Sequence, residues 1–566
     1  MISQPNTAAT PEPPAGRTGA APQAAAALGG LPPYRSHPFP LVGSNAFADI
    51  PRRSAARVPD KPALIDGDVT LTFREFDRLV DSVAAALQAE GLVQGDVLAL
   101  LSRNNWQCVV MCYATARAGI VYAPINYLLS GEEVASILEL VHPKAFVAEH
   151  HFAPMCDQAI TQLQARDQAE SRPATPMIRR EIRREGQEPT PGWDSLQGWL
   201  EHAGTPAPVE VADDDVIRLM FTSGTEAGAK GVMLSSRALM WEYLHVIVAG
   251  RQEASDIDLH VMPLYHCAQL DCWLGPDLML GATSILIPSA GAARILGAIE
   301  KFGANKMYAT PSKWIELIHS PAFTPARMAS MRKAFYGGAP IPVPTLEEIA
   351  ELLPDMGLFN FYGQTEMAPC ATILPPEDQI SHAGSAGLPG LTTRMAILDA
   401  DCQELPAGEV GEIAFRSAQA CLGYWQDPKG TQELFRGGWL HTGDRGYVSD
   451  TGYLYYVDRV KDTVNVGGEK VASREVEEVI YEMDQVLEAA VIGVPERRFG
   501  EMVVAVVSPR PGREVTPDDV IAHVRGRLAG FKVPRRVVVE ETLPKNPSGK
   551  ILKRELRERY KDIALA

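Results

Sequence analysis

No stretch of this chain approaches the roughly 18 consecutive apolar residues that a membrane-spanning helix needs, so no transmembrane segment is predicted. No two of its eight cysteines, at positions 108, 112, 156, 267, 272, 370, 402 and 421, form a CxxC pair, and no zinc-type spacing of Cys and His occurs. Disulfide scaffolds and zinc modules are thereby excluded, and free thiols in a reducing cytoplasm are expected. Positive charge is in deficit as well: a net charge of -17 would repel a phosphate backbone, so no nucleic-acid partner is expected. The arginine-rich run from Arg179 to Glu185 mixes both signs and reads as a solvated face. A Walker A loop is missing too, because Ala229 stands before Lys230 and Gly231 after it, where that motif needs Gly and then Ser or Thr.

What the chain has is length. Its 566 residues, 46% hydrophobic and 22% charged, suit a soluble protein of two or more domains. Residues 1–33, rich in Ala, Pro and Gly, read as a disordered tail. From about Pro40 the pattern becomes that of a folded protein. Apolar strands such as 97–102 and 119–124 alternate with helical spacing over 74–90 and 106–118, which predicts a parallel sheet with helices on its faces. From Leu405 to Tyr456 short alternating segments separated by Gly, Pro and Asp read as a smaller β-rich unit, and the last hundred or so residues as an α+β domain.

The stretch that organises the chain is Phe221-Thr222-Ser223-Gly224-Thr225-Glu226-Ala227-Gly228-Ala229-Lys230-Gly231. Between a strand at 216–220 and a helix from Ser235, it reads as a loop of hydroxyls, glycines and one lysine. Such a loop offers N–H donors and a mobile cation to a group with several anionic oxygens, for which a triphosphate is the obvious candidate. Downstream, Lys333 to Pro340 and Leu358 to Glu366 each read as a strand running into a polar turn. Polar residues beyond the carboxyl ends of parallel strands are where α/β sheets collect ligands. His441-Thr-Gly-Asp-Arg-Gly446 and the Pro/Gly-rich loop Leu543 to Lys550, which presents a single lysine at a movable tip, complete the set.

Taken together and in this order, these motifs resemble those of the adenylate-forming superfamily, most closely bacterial acyl-CoA synthetases of the fatty-acid type, over residues 45 to 560. The resemblance implies an α/β fold with a large N-terminal domain of two helix-flanked β-sheets and a smaller distorted β-barrel-like unit, plus a mobile α+β C-terminal domain. It implies an AMP-binding domain over 34–459 and a lid over 460–566, hinged near Lys461. Thr222, Ser223, Gly224, Thr225 and Lys230 would handle the β- and γ-phosphates of ATP. Gly338, Ala339 and Pro340 would border the adenine, with Tyr362 stacked on it. Thr365 would donate to phosphate and Glu366 would help hold Mg²⁺. Asp444 would take both ribose hydroxyls, assisted by Arg459. Lys550 would bridge the carboxylate and α-phosphate, and Gly467 and Gly468 would line the thiol tunnel.

The implied reaction is ATP-dependent activation of a carboxylic acid to acyl-AMP, then transfer to the thiol of coenzyme A with release of AMP. The resemblance also admits an acyl carrier protein as acceptor, a homodimer, or a non-catalytic relative that binds acyl or nucleotide ligands. His266, Asp271 and Gly337 are expected at the acyl pocket, Asp271 either recognising a polar group on the substrate or serving as a satisfied helix residue. Glycines at 337 and 338 remove side chains there, which favours a medium- to long-chain or flat apolar acid over acetate. The phosphate loop departs from the family pattern at Glu226 and Ala229, which puts a charge beside the phosphates and loosens the loop.

Overall fold

The computed structural model describes residues 47–172, 176–223, 229–288, 291–339, 341–459, 462–466, 469–496, 500–545 and 551–563. The expected tail over 1–33 lies outside them.

Strands Val97–Leu101 and Val121–Ile125 are buried at every position and lie in the middle of a seven-stranded sheet. They pair in parallel with each other, and Val97–Leu101 also pairs in parallel with Ala145–Glu149. Strands covered on both faces need continuous apolar runs, and that is what the sequence supplies. Helix Trp106–Arg117 is buried at every position from Cys108 to Arg117 and touches both Val121–Ile125 of this sheet and Pro62–Asp66 of the next. A helix apolar on all sides belongs between layers, and here it is the filling between two sheets. Its neighbour Phe73–Ala89 starts on a capping box made by Thr72 and Glu75.

The second sheet has thirteen strands among the described residues. Its parallel part runs from Pro62–Asp66 through Thr283–Leu286, Ile257–His260, Lys306–Tyr308 and Lys333–Gly337 to Gly357–Gly363. The carboxyl ends of the last three bring Tyr308, Gly337 and Gly363 to one edge. Antiparallel strands Cys370–Leu374 and Ser385–Pro389 then carry the sheet into the smaller β-rich unit, built on Thr393–Leu398, Gly411–Ser417, Leu440–Val448 and Leu454–Arg459.

The last of these strands ends at Arg459, and a separate five-stranded sheet begins at Val464–Val466. Its long hairpin, Val486–Glu496 with Gly500–Pro509, packs against helices Ser473–Tyr481 and Lys553–Tyr560. The two bodies meet where the Ser473 backbone N–H donates to Asp458 and the Arg474 guanidinium donates to the carbonyls of Tyr456 and Gly384. The architecture is the mixed α/β arrangement with a C-terminal domain that the sequence predicts.

One local expectation changes. The segment ahead of Ser235 is a hairpin: Val216–Ser223 pairs antiparallel with Ala229–Ser235 before helix Ser236–Ala249 begins. The second strand is buried from Gly231 to Ser235 without alternation. With Lys230 and Gly231 at its start it carries no period-2 signal. Ser235 caps the helix by accepting from the Ala238 N–H, as its position predicts.

Candidate active site

The phosphate hairpin sets Thr222 opposite Lys230 and Ser223 opposite Ala229 in the backbone register. Gly224 and Thr225, with Glu226, lie outside the described residues, as does the side chain of Ser223. The Lys230 Nζ sits 4.5 Å from the centre of the Tyr424 ring and 3.9 Å from Asp427. Tyr424 in turn donates its hydroxyl to Glu366 Oε1 at 2.7 Å. Tyr424 is held there because Trp425 N–H donates to the Gly231 carbonyl and Met233 N–H to Gly423, so residues 422–425 run along the hairpin. The lysine, the phenol and the carboxylate thus form one chain, with burial pushing the Tyr424 hydroxyl up so that it stays a donor. Sequence reasoning missed Tyr424 and Asp427. Their partner Lys230 is far away in the chain, and the only trace is a glycine followed by two aromatics in a protein with 7% aromatic residues.

Thr365 and Glu366 open a short turn straight after strand Gly357–Gly363 and are both 9% exposed. The Thr365 hydroxyl lies 3.3 Å from Cys267 Sγ. Burial pushes the Cys267 thiol up to about 12, so this cysteine is a lining group with no thiolate to offer. One hard carboxylate beside hydroxyls and a lysine fits Mg²⁺, which takes one or two protein carboxylates and keeps water and phosphate oxygens for the rest.

At the other side of the turn, Tyr362 donates its hydroxyl to Asp444 Oδ2 at 2.9 Å, and the Asp444 N–H donates to the Thr442 hydroxyl. Asp444 faces Arg459 in the strand register; the Arg459 side chain lies outside the described residues. So do Pro340, Lys461, Gly467, Gly468 and Lys550. The residues flanking Lys550 are placed: Lys545 bridges to Ile551, and the Leu552 N–H donates to the Pro544 carbonyl at 2.8 Å. The two flanks are thus held side by side. Lys545 lines a cavity of about 850 Å³ together with Tyr127, Met262 and Thr310 of the large domain. Lys545 therefore stands at the wall of this cavity, beside Glu488 of its own domain.

A smaller cavity of about 70 Å³ opens from it, sharing Met262, Pro263, Thr310 and Ser312. His266, expected at the acid pocket, lines it together with Gly338 and Ala339, which were expected beside the adenine. Gly338 has φ +75, a conformation that favours glycine. Gly337 plays a different part from the one expected: a Cβ there would overlap the Phe361 carbonyl oxygen of the adjacent strand, so this glycine serves strand packing and opens no acyl space. Asp271 is also placed elsewhere. It is fully buried, ion-paired to Arg218 and hydrogen-bonded by the Tyr243 hydroxyl at 3.0 Å. Burial raises its carboxyl and the neighbouring Arg218 opposes that. Of the two readings left open, the satisfied core residue is the one this geometry supports.

Asp258, His260 and Asp277 form a further buried group that could be taken for a metal site. Lys306 already stands among them, hydrogen-bonded to Asp277 and 3.3 Å from Asp258, and supplies the positive charge.

Residues 51–425 match the AMP-binding enzyme family, and residues 475–550 match its C-terminal domain. The chain belongs to the AMP-binding enzymes. Among curated members, it is 33% identical over 513 residues to feruloyl-CoA synthase of Amycolatopsis sp., covering 90% of this chain and 98% of that one. It is 32% identical over 515 residues to the fatty acid–[acyl-carrier-protein] ligase ScoC of Streptomyces coeruleorubidus, covering 89% and 95%. Among solved structures it matches ATP-bound MatB of Rhodopseudomonas palustris with a TM-score of 0.81 at 29% identity, covering 91% and 99%. As an AMP-binding enzyme with these relatives, it is an AMP-forming acid–thiol ligase of the acyl-CoA synthetase type. Among the described residues no helix is long and apolar enough to cross a membrane.

Proposed function

We propose that this enzyme activates an apolar carboxylic acid as acyl-AMP in the cleft between Lys230 and Asp444 and passes the acyl group to coenzyme A entering through the 850 Å³ cavity. The observation that carries the reading is the convergence of two hydrogen-bonded pairs on one turn: Tyr424 with Glu366, and Tyr362 with Asp444. The first fixes a carboxylate and a lysine where a triphosphate needs counter-charge. The second aims a carboxylate at a ribose, where one acceptor group can take two hydroxyl donors.

A carboxylate attacking an α-phosphorus approaches a centre ringed by anionic oxygens, so the catalytic task is charge neutralisation and alignment. Lys230, the Thr365 hydroxyl and the hairpin N–H groups hold the leaving pyrophosphate. Mg²⁺ beside Glu366 adds counter-charge when bound. Lys550, which follows the Lys545 that lines the large cavity, draws the two reactants together. We place the hinge at Lys461, between the 34–459 domain and the 460–566 lid. Rotation there would withdraw Lys550 and bring Gly467 and Gly468 to the thiol, keeping water from the adenylate between the two steps. The eight unpaired cysteines support a cytoplasmic setting.

Acid-dependent exchange of labelled pyrophosphate into ATP tests the first half-reaction, and its absence with every acid would leave a non-catalytic binder. Thioester formation with coenzyme A alone tests the second. The likeness to a carrier-protein ligase favours one alternative, in which the acceptor is a carrier's phosphopantetheine; activity only with a loaded carrier would establish it.

A further inference from the structure

Between His266 and Asp271, the polar residue lining the acid pocket is Gln269, beside Ala268; no motif singled it out. It lies in a π-helical turn, Ala268–Leu274, and such turns are rare and concentrate at functional sites. Gln269 is fully buried and lines the 70 Å³ cavity beside Tyr308. Its amide orientation follows from its partners. The Met262 N–H can only donate, so Oε1 faces it at 3.1 Å and Nε2 faces His260 Nδ1 at 2.7 Å. Nδ1 must then accept, which puts the imidazole proton on Nε2, 3.4 Å from Asp277. One amide N–H of Gln269 is left without a partner among the described residues. Nearby, the Thr310 hydroxyl is buried and has no hydrogen-bond partner among the described residues, although it stands at the start of helix Pro311–Ile318 where a capping bond is usual. Thr310 also lines the cavity.

The pocket cannot lengthen easily. Tyr308 is stacked on Trp273 at 3.8 Å and 7°, and Trp273 is walled in by Phe335 and Phe361. A space of about 70 Å³ holds roughly five water-sized groups, about the size of a single ring and too small for a long acyl chain.

We propose that the acid is ring-sized and carries an acceptor oxygen on the part that enters the pocket, and that Gln269, with Thr310, reads that oxygen. His260 is a positioning residue: it turns the Gln269 amide so that a donor faces the substrate. This rests on the reading of the cleft as an acid-activating site and narrows its substrate to an oxygen-substituted, single-ring acid. Behind His260, carboxylate oxygens of Asp277 and Asp258 stand 3.4 and 3.9 Å from Nε2, which favours the tautomer with its proton there and leaves Nδ1 to accept.

The test is pyrophosphate exchange by the full-length enzyme with benzoate, its three monohydroxy isomers, hexanoate and palmitate. The readout is the ratio of kcat/KM for each hydroxy acid to that for benzoate, in which a general loss of activity cancels. At least one hydroxy acid is expected to exceed benzoate by about tenfold, since a site built to pair with a polar group penalises the analogue that lacks it. Gln269→Leu should bring that ratio to about one. Gln269→Glu, which keeps the Met262 bond and loses the donor, should do the same. His260→Ala should lower the ratio, and His260→Asn, which retains an acceptor, should restore most of it. Unchanged ratios in both Gln269 variants, or palmitate outrunning every ring acid, would overturn the proposal while leaving acid activation intact. Exchange with no acid at all would overturn both.

Discussion

The ammonium of Lys230 lies 4.5 Å above the ring of Tyr424, whose hydroxyl donates to Glu366 at 2.7 Å. A cation and a carboxylate that would otherwise pair directly are held apart by a ring that satisfies both, the face attracting the charge and the edge group donating a proton. Each remains open on its other side to phosphate and to Mg²⁺.

Separate substitutions should divide these roles. Tyr424→Phe keeps the ring under Lys230 and removes the donor to Glu366, so the Mg²⁺ concentration for half-maximal pyrophosphate exchange should change by several-fold with KM for ATP little altered. Tyr424→Leu should in addition raise KM for ATP, by roughly threefold to tenfold, in line with the loss of a partly exposed cation–π contact. Identical kinetics in the two variants would show that the ring does not hold the lysine.

Gly337 offers a second contrast. It pairs with Phe361 across parallel strands, and a Cβ would overlap the Phe361 carbonyl oxygen. Gly337→Ala should therefore cost stability, about 1–3 kcal/mol as overpacking usually does, seen as a lower Tm, and leave chain-length preference alone. A normal Tm with selective loss of the longer acids would restore the expectation that this glycine makes room for substrate.

The half-reactions should come apart as well. Lys550→Ala is expected to cripple adenylate formation by at least about a hundredfold while sparing thioester formation from supplied acyl-AMP. Lys461→Pro, by fixing the backbone at the hinge, should bias the loss the other way. Equal losses of both activities in each variant would contradict a rotating lid.

Much of this molecule is legible in the chain because strands buried on both faces must be continuously apolar, as Val97–Leu101 is, and because phosphate chemistry gathers hydroxyls, glycines and lysine into short runs. What escaped reading has physical causes. Tyr424 meets Lys230 only through tertiary pairing, which leaves no local period. Asp271 and Gln269 sit in a turn closed by wider i→i+5 bonds, so the 3.6-residue rule that would sort core from pocket does not apply there. Gly337 and Gly338 look alike in sequence, yet one is fixed by a neighbouring strand and the other by its positive φ.

The last prediction concerns Glu242, fully buried on helix Ser236–Ala249 beneath the active-site turn. Its Oε1 accepts from the Cys370 N–H at 3.0 Å and its Oε2 from Gln419 Nε2 at 2.8 Å, while His245 Nδ1 lies 3.9 Å from Oε2. Burial pushes the Glu242 carboxyl up from 4.5 to about 7. Between those values the folded protein keeps a proton that the unfolded chain has already lost, so this group's contribution is full below about pH 4.5, declines as the pH rises and levels off above about 7. The decline amounts to roughly 3 kcal/mol at most. Glu242→Gln cannot titrate and should remove that slope. It should also be the less stable protein at low pH, because whichever way its amide turns, its N–H groups face a second donor, either Cys370 N–H or Gln419 Nε2. Denaturant unfolding at intervals from pH 5 to pH 8 should thus show the two stabilities converging as the pH rises. Curves that stay parallel would mean that Glu242 is ionised in the folded protein throughout.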